Sequence, residues 1–316
     1  MEDPRSILII KPSSLGDVVH ALPVVACVKH RWPDARITWV VNPEWAPLLE
    51  GNPHLHEVIE FPRKQFRGVF GWLRFIRWAR SLHRRVRPDL VLDLQGLLRS
   101  ALIGWFAGGT MWGMTDSREG SRLLHDAVAK VGTRREPVHA VRRMLILAET
   151  LKCDTSGPLE WPLPAGSAPA VPLPPHFVVL HPFSRGAGKS LSLAEVSNFC
   201  RALAPLPVVI VGGPGSAPKE ENAVDLLGRT TLPELCWVIR RADFVVSVDS
   251  GPSHIAAALT DRLLAIHTWS DPRQVGPYRP NAWVWKDGRL GRMSEFPQGE
   301  PIERDRLGPW VKAQIG

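Results

Sequence analysis

The chain has 316 residues, and a single hydrophobic core usually stops growing at about 250 to 300 residues, so two domains of roughly 150 residues each are expected. Hydrophobic residues make up 44% of the chain and charged residues 22%, a balance that excludes a disordered protein. The formal net charge of +8 indicates an anionic partner without identifying it.

The N-terminus and the cysteines indicate the compartment. The polar start MEDPRS leads straight into a short apolar run, without the basic region and long apolar stretch of a secretory signal. No stretch approaches about 18 consecutive apolar residues, so no transmembrane helix is predicted. The four cysteines lie far apart from one another, which fits neither a zinc site nor a secreted disulfide framework. A cytoplasmic protein is predicted.

The first predicted strand, SILII at 6–10, is followed by KPSSLGDVVHALPVV at 11–25, where a first helix should begin. A strand-to-helix turn of this kind points into the crevice at the carboxyl end of a parallel sheet, where ligands bind in open α/β folds. Asp17 in this turn is either a general base for a substrate hydroxyl or a carboxylate that caps the helix. The spacing alone leaves both interpretations open.

Three further strand-like runs, ARITWVV, HEVIEF and DLVLDL, precede helix-compatible sequence, and this alternation predicts βαβ units and a parallel sheet. The stretch 63–87 contains nine basic residues and no acidic residue, which accounts for the whole charge excess. It predicts a basic amphipathic helix that suits an anionic membrane surface or an acidic substrate, although the later arginines also fit a merely solvated face. The apolar face is predicted to consist of Phe66, Phe70, Leu73, Ile76 and Leu82.

A proline-rich segment, WPLPAGSAPAVPLPPH at 161–176, can form no regular element and is the predicted linker. After it the alternation starts again, with FVVLHPF, PVVIVGG, DFVVSVD and LLAIHTW as predicted strands. The chain is therefore predicted to be an α/β protein with domains at 1–163 and 164–316. The last helix is free in this interpretation to pack back on the first domain.

One turn of the second half, HPFSRGAGKSLS at 181–192, has a composition suited to phosphate. Ser184, Arg185 and Lys189 surround two glycines that let the backbone approach a ligand closely. The segment is not a Walker A loop, because the first glycine of that motif is missing.

A second turn, VVSVDSGPSHIAAAL at 245–259, runs from a buried strand into a helix. Pro252 fits the helix start, where unpaired amides can hold a diphosphate, and His254 either donates to a phosphate or packs locally. No catalytic triad, carboxylate pair or metal-ligand spacing stands out, and the glycine fingerprint of a dinucleotide-dependent oxidoreductase is absent. A possible base in one half and phosphate-binding turns in the other favour transfer from a nucleotide-linked donor.

Four ordered motifs resemble those of the ADP-heptose:lipopolysaccharide heptosyltransferases, glycosyltransferase family 9, and within it the heptosyltransferase I group. They are KPSSLGDVVHALP, DLQGLLRSAL at 93–102, ADFVVSVDSGPSHIAAAL and SDPRQVGPY at 270–278. The resemblance spans nearly the whole chain. It implies the GT-B fold, in which two Rossmann-like domains face each other across a cleft, the first binding the acceptor and the second the nucleotide sugar.

The resemblance also implies roles for individual residues. Asp17 matches the catalytic base, and Lys189 the lysine that holds the donor diphosphate. The implied donor contacts are Ser13, Ser14, Ser184, Arg185, Lys189, Glu220 or Glu221, Thr230, Thr231, Asp249, Ser250, Gly251, Pro252 and His254. The implied acceptor contacts are Arg63, Lys64, Arg67 and Arg118.

The implied partners are an ADP-sugar donor, a Kdo-lipid A type acceptor and the anionic inner face of the cytoplasmic membrane, which the protein would contact peripherally. No nucleic acid, cofactor or metal is expected. The alternatives are a family 9 transferase with another nucleotide sugar or heptose acceptor, and, in a different class, a basic nucleic-acid-binding protein.

One departure from the family pattern is Leu191, which stands where a tryptophan or similar bulky residue often follows the phosphate-binding lysine.

Overall fold

The computed structural model describes residues 3–132, 138–186 and 188–315. The chain divides into two compact units, Met1–Pro164 and Ala165–Gly316. This division falls within one residue of the expected boundary, at the start of the proline-rich segment. No helix in the described part of the chain is both long and apolar enough to cross a membrane.

The first unit is a parallel sheet with helices between its strands. The strands are β1 (Ser6–Ile10), β2 (Arg36–Val41), β3 (Glu57–Glu60), β4 (Leu90–Asp93), β5 (Thr110–Met114) and β6 (Ala127–Ala129), in the order β3-β2-β1-β4-β5-β6. The helices are α1 (Leu15–Arg31), α2 (Gly71–Val86), α3 (Leu98–Ala107) and α4 (Ala140–Thr150), with 3-10 turns at Ala46–Leu49, Arg63–Phe66 and Ser121–Leu124. Strand β1 is almost wholly buried, as expected for a central strand covered on both faces.

The second unit contains a larger sheet. Its strands are β7 (Val178–His181), β8 (Val208–Gly212), β9 (Ala223–Leu227), β10 (Phe244–Val248), β11 (Leu263–His267), β12 (Trp283–Lys286), β13 (Arg289–Arg292) and β14 (Glu300–Pro301), in the order β14-β13-β12-β11-β10-β7-β8-β9. Strand β13 runs antiparallel to both of its neighbours, β12 and β14, whereas the other neighbouring strands of this sheet pair in parallel. The helices are α5 (Leu193–Leu203), α6 (Leu232–Arg241), α7 (Gly251–Leu259), α8 (Pro272–Val275) and α9 (Leu307–Ile315), with 3-10 turns at Met293–Glu295 and Arg304–Arg306.

The last helix, α9, packs on α5 of its own unit. Its residues Leu307 and Val311 are fully buried in the core that also contains Phe199 and Leu203 of α5. This contact lies within the second unit, because α9 presents apolar side chains four residues apart, which fill the space beside α5. The expectation that the last helix also packs back on the first domain stays a prediction.

The buried face of helix α2 matches the predicted one only in part. Phe75, Ala79 and Leu82 point into the core, whereas Phe70 is 68% and Leu73 57% exposed. The helix begins at Gly71, so Phe70 lies before its first turn, and Leu73 is two residues, or about 200°, away from Phe75 around the helix. Of the predicted face, Leu82 is buried, and Phe66 and Ile76 pack partly against the core.

Candidate active site

The first polar cluster lies where the strand order of the first sheet reverses. The chain moves outward from β1 to β2 and β3 on one side, and from β4 to β5 and β6 on the other. Such a switch point between β1 and β4 leaves a crevice at the carboxyl ends of the strands, where ligands bind in open α/β sheets. The segments that follow these two strands are KPSSLGD and LQGLLRS, so the structure brings two of the four motifs to one edge.

Asp17 caps helix α1 and also faces a lysine. Its Oδ2 accepts hydrogen bonds from the Ser14 backbone amide at 3.0 Å and the Ser14 hydroxyl at 2.7 Å. Its Oδ1 lies 3.5 Å from Nζ of Lys11, while the Asp17 side chain remains 42% exposed. The structure thus shows that Asp17 caps the start of helix α1. It does not exclude a role as base, because the carboxylate is accessible.

Lys11 is a residue of this cluster that the sequence analysis did not nominate. It is only 5% exposed, and Nζ donates to the carbonyl of Leu94 at 3.0 Å. The contact ties the turn after β1 to the turn after β4. A signal was available, since a lysine directly after a buried apolar strand is unusual unless its charge has a partner.

The turn after β4 is organised by the buried carboxylate of Asp93. Its Oδ1 accepts from the amides of Gln95 at 3.0 Å and Gly96 at 2.9 Å, and its Oδ2 lies 3.0 Å from Nε2 of His125. Gln95 in turn accepts through Oε1 from the Ser13 amide at 3.2 Å. Asp93 therefore has a structural role within the DLQG motif, and it presents Gln95 beside the turn after β1.

A cavity of about 200 Å³ lies at this edge of the first sheet. It is lined by Pro12, Ser13, Asn42, Phe61, Arg63, Gln95, Leu97, Arg99, Ser100 and Glu119. Burial, followed by the neighbouring Arg63 guanidinium, lowers the pKa of Arg99. Oδ1 of Asn42 is buried and has no hydrogen-bond partner among the residues that the structure describes. The two guanidinium groups, of Arg63 and Arg99, suit an acidic ligand.

The four predicted acceptor contacts are not gathered in one place. Arg63 lines this cavity, whereas Lys64 and Arg67 are exposed on and after the 3-10 turn Arg63–Phe66. Arg118 lines a neighbouring depression of about 700 Å³, and its amide donates to the carbonyl of Gly96. Arg99 and Asn42 are lining residues that the sequence analysis did not nominate. Arg99 lies inside the quoted DLQGLLRSAL motif, so the motif was the available signal.

The second polar cluster lies at the corresponding switch point of the second sheet, between β7 and β10. The turns after these strands carry the two segments predicted to bind phosphate. They contact each other, because the Ser184 hydroxyl lies 3.4 Å from the carbonyl of Asp249. The structure therefore brings the predicted donor residues Ser184, Asp249 and Ser250 to one edge of this sheet.

The loop after β7 holds Lys189 against an aromatic ring. Nζ of Lys189 lies 3.8 Å from the ring centroid of Trp269, which is itself 60% exposed. Gly186 and Gly188 have positive φ angles of 106° and 74°, a conformation that favours glycine. Leu191 is buried in the core instead of facing this loop. Trp269, about 80 residues further along the chain, supplies the aromatic group beside the lysine.

Asp249 follows β10 and contacts residues of two neighbouring elements. Its Oδ1 lies 3.8 Å from Nε2 of His254, and its Oδ2 accepts a short hydrogen bond from the Ser270 hydroxyl. Burial lowers the pKa of His267 to about 4, although Asp249 opposes this shift, so His267 is neutral at pH 7. Asp249 is thus a fixed acceptor at the sheet edge, a suitable partner for sugar hydroxyls.

Helix α7 begins at Gly251 with Pro252 in its first turn, as expected. Ser250 precedes it but does not cap it through its side chain, since the hydroxyl lies 3.1 Å from Nδ1 of His181. Burial lowers the pKa of His181 to about 4, so this imidazole is also neutral. The N-terminus of α7, which follows a buried strand, is a suitable position for an anionic group.

The remaining predicted donor contacts differ in position. Thr231 caps helix α6, accepting from the Glu234 amide at 3.3 Å, and Thr230 precedes it at the carboxyl end of β9. Glu220 and Glu221 lie before β9, at the opposite end of the strands, because the chain crosses back from the end of β8 to the start of β9. Glu220 accepts there from Arg201 at 3.2 Å. It therefore does not share the edge that carries Asp249.

One group of side chains in the described part of the chain has metal-ligand spacing. His30, His54 and Glu160 of the first unit place their ligand atoms within 4.8 Å of one another. The Glu160 carboxylate already lies 3.1 Å from Nε2 of His30 and 2.8 Å from Nε2 of His54. This cluster is separate from the polar edge of the first sheet, and the expectation that no metal is required stays a prediction.

Comparison with known proteins agrees with the motifs and the fold. The sequence model of glycosyltransferase family 9 (heptosyltransferase) matches residues 216–304. The lipopolysaccharide core heptosyltransferase OpsX of Haemophilus influenzae is 26% identical over 303 residues, covering 88% of this chain and 83% of its own. Lipopolysaccharide heptosyltransferase 1 of Salmonella typhimurium is 27% identical over 304 residues, covering 87% of this chain and 92% of its own.

Among solved structures, E. coli heptosyltransferase WaaC with ADP superposes with a TM-score of 0.75 at 23% identity, covering 97% of this chain and 99% of that one. This likeness confirms the predicted GT-B fold class of two parallel α/β sheets. The family match, the full-length relatives and the polar edges of both sheets agree with one another. Over nearly its whole length the chain is similar to enzymes of glycosyltransferase family 9, the heptosyltransferases.

Proposed function

We propose that this enzyme transfers a heptose from ADP-heptose to the Kdo-containing inner core of a lipid A type acceptor, as a heptosyltransferase I does. The observation that carries the proposal is the edge of the first sheet, where the accessible Asp17 carboxylate shares the switch point between β1 and β4 with a cavity containing two guanidinium groups. Kdo is an acidic sugar, so a carboxylate base beside a cationic cavity suits its hydroxyl as the attacking group.

In the proposed reaction, Asp17 removes the proton of the acceptor hydroxyl while that oxygen attacks the anomeric carbon, and ADP leaves from the opposite face with inversion. The bond from the anomeric carbon to the acceptor oxygen forms as the bond to the diphosphate oxygen breaks. Oδ2 of Asp17 is engaged by Ser14, which fixes the orientation of the carboxylate. A positioned carboxylate of this kind contributes roughly 10²- to 10⁴-fold to the rate.

The second unit would bind the donor. Negative charge builds on the leaving diphosphate, so Lys189 and the amides at the start of α7 would stabilise the transition state more than the ground state. The stacking of Lys189 on Trp269 holds the ammonium group in place before the donor arrives. Asp249 would accept hydrogen bonds from the heptose hydroxyls, and Ser184 and Arg185 would contact the diphosphate.

Donor choice is the direct test of the proposed function. Purified protein is incubated with ADP-heptose, ADP-glucose, UDP-glucose or GDP-mannose, each with heptose-free Kdo-lipid A, and nucleotide release is followed. Release that depends on both ADP-heptose and the acceptor is the expected result. Acceptor-dependent release from a different sugar nucleotide would contradict the heptose assignment and retain the family. A heptose-bearing acceptor that reacts while Kdo-lipid A does not would contradict the assignment as heptosyltransferase I.

Arg99 is expected to recognise the acceptor. Arg99→Gln should raise the acceptor KM about tenfold with a smaller change in kcat, because a charge-assisted hydrogen bond contributes about 1.5 to 3 kcal/mol and this side chain is partly exposed to water. The measurement is steady-state kinetics at saturating donor. Arg122→Gln, an exposed arginine in the 3-10 turn Ser121–Leu124, is the matched control and should leave the acceptor KM unchanged. An unchanged KM in Arg99→Gln would remove this residue from the acceptor site.

A lipid-linked acceptor also implies where the enzyme works. We place it in the cytoplasm, in peripheral contact with the anionic inner face of the cytoplasmic membrane. The stretch 63–87, with its nine basic residues and no acidic one, supports this location.

A further inference from the structure

The first unit carries an exposed apolar surface around the start of α2 and the end of α3. Val69 is 93% exposed, Phe70 68%, Leu73 57% and Trp72 53%, and Trp105 of α3 is 57% exposed. We call these five residues the α2–α3 surface. Single exposed apolar side chains are normal, but five large ones on two packed helices and the segment just before α2 mark an interaction site.

The two tryptophans of this surface are the ends of one continuous row of rings. Trp72 stacks on Phe75 at 5.5 Å, Phe75 meets Phe106 edge-on at 6.4 Å, and Phe106 meets Trp105 at 4.8 Å. Phe75 is buried in the core, so the row anchors the surface in the packed interior. The exposed rings are therefore held in place and do not depend on a ligand for their position.

All charged side chains of α2, of the segment just before it and of α3 are positive. Helix α2 and the segment before it contribute exposed arginines and no carboxylate, and α3 contains Arg99 and no carboxylate. The exposed arginines are Arg67, Arg74, Arg77, Arg80, Arg84 and Arg85. Only Arg85, in the last turn of α2, pairs with an acidic residue, Glu57, among the described contacts of this group. The Arg80 guanidinium lies 5.5 Å from the Phe106 ring, so charge and aromatic surface are interleaved.

This combination fits a lipid bilayer better than a second copy of the chain. Two such surfaces facing each other across a twofold axis would bring two sets of unpaired arginines together, which is unfavourable. Anionic phospholipid headgroups complement the arginines, whereas tryptophan and phenylalanine prefer the boundary between headgroups and acyl chains.

We propose that the α2–α3 surface inserts into the headgroup region of an anionic bilayer, with Phe70, Trp72 and Leu73 reaching the acyl boundary and the arginines binding lipid phosphates. This inference rests on the proposed function, because a lipid-linked acceptor is what requires the enzyme at the membrane. Arg63, which lines the acceptor cavity, belongs to the 3-10 turn just before this surface, so insertion would bring the cavity close to the headgroups.

The first experiment measures sedimentation of the full chain with vesicles. Wild-type protein should sediment with phosphatidylethanolamine–phosphatidylglycerol vesicles and remain in solution with phosphatidylcholine vesicles. The double variant Phe70→Ser, Leu73→Ser should bind the anionic vesicles at least tenfold more weakly. Both side chains are largely exposed, so the fold should survive, which circular dichroism checks. The matched control is Leu193→Ser, since Leu193 is 55% exposed in the second unit and should not affect binding.

The second experiment separates insertion from adsorption by charge alone. All four native cysteines are buried, so a polarity-sensitive fluorophore can be attached selectively at Leu73→Cys. Its emission should shift to the blue with anionic vesicles, whereas the same label at Leu193→Cys should not respond. Sedimentation without a blue shift at position 73 would overturn insertion. So would wild-type protein that ignores anionic vesicles, or a double variant that binds like wild type. An RNA that produces the same blue shift without vesicles would assign the surface to nucleic acid instead.

Activity distinguishes failure of this inference from failure of the proposed function. The double variant should transfer sugar to a deacylated, soluble acceptor at the wild-type rate, and lose activity only with acceptor embedded in vesicles. Equal activity of both proteins on the embedded acceptor would overturn the inference while leaving the transferase assignment intact. Wild-type protein that inserts into anionic vesicles but transfers no sugar to either acceptor would overturn the proposed function and leave this inference intact.

Discussion

Replacing Asp17 by asparagine is expected to lower kcat by roughly 10²- to 10⁴-fold, because the variant cannot accept the proton of the acceptor hydroxyl. The measurement is the rate of ADP release at saturating donor and acceptor. Asparagine keeps one side-chain oxygen that can accept from Ser14, so the start of α1 should persist. Thermal unfolding of the variant should therefore remain close to that of the wild type, which shows that the loss is chemical.

The matched control for Asp17 is another capping carboxylate. Glu195 closes the same kind of capping box on helix α5, accepting from the Ser192 amide at 2.7 Å. Glu195→Gln should change thermal stability slightly and kcat by less than about twofold, since surface changes of this kind cost little. If Asp17→Asn retains full activity, Asp17 is only a cap and the base lies elsewhere.

Removing the Lys189 ammonium is expected to lower kcat by about 10²- to 10³-fold, the cost typical of losing one donor that stabilises developing negative charge. Lys189→Ala should affect kcat more than donor affinity, because the charge on the diphosphate increases as the glycosidic bond breaks. Single-turnover rates and donor binding by calorimetry measure the two effects separately. Lys189→Arg keeps the charge and should recover part of the rate.

Lys219→Ala provides the control for charge alone. Lys219 is exposed and lines a depression with Glu220 and Asn222 at the opposite end of the strands from Lys189. Its removal should leave kcat and donor affinity unchanged. A Lys189→Ala variant with wild-type kcat would show that the diphosphate is held by other groups, and the role assigned to the loop after β7 would be wrong.

The fold could be predicted because its signals are local and repeated. Buried strands such as SILII, DLVLDL and DFVVSVD are rich in apolar residues, and each is followed by a turn and a helix. The order of the four motifs along the chain then predicted the GT-B fold class. The proline-rich segment from 161 onward marks the boundary that the structure places after Pro164. These features depend on residues near one another in sequence.

The error at α2 has a local cause, because its buried face depends on where the helix begins, and Gly71 was not recognised as its start. The omissions have a different cause, which is that contacts between distant segments leave no local pattern. Glu220 was nominated from the family resemblance, and its place in the fold depends on the direction of the chain between β8 and β9, which the resemblance alone does not give. Trp269 stacks on Lys189 from the turn after β11, so no motif around the lysine could indicate it.

Under the proposed function, the turn after β4 lowers the entropic cost of acceptor binding. Asp93 is completely buried, and its carboxylate is satisfied by two amides and the His125 imidazole of the protein itself. The backbone that presents Gln95 is thus ordered by contacts that form when the chain folds. Its conformational entropy is lost during folding, and the acceptor does not have to offset that loss when it binds. By ordering the turn that presents Gln95, the buried Asp93 would therefore contribute to acceptor affinity without contacting the acceptor.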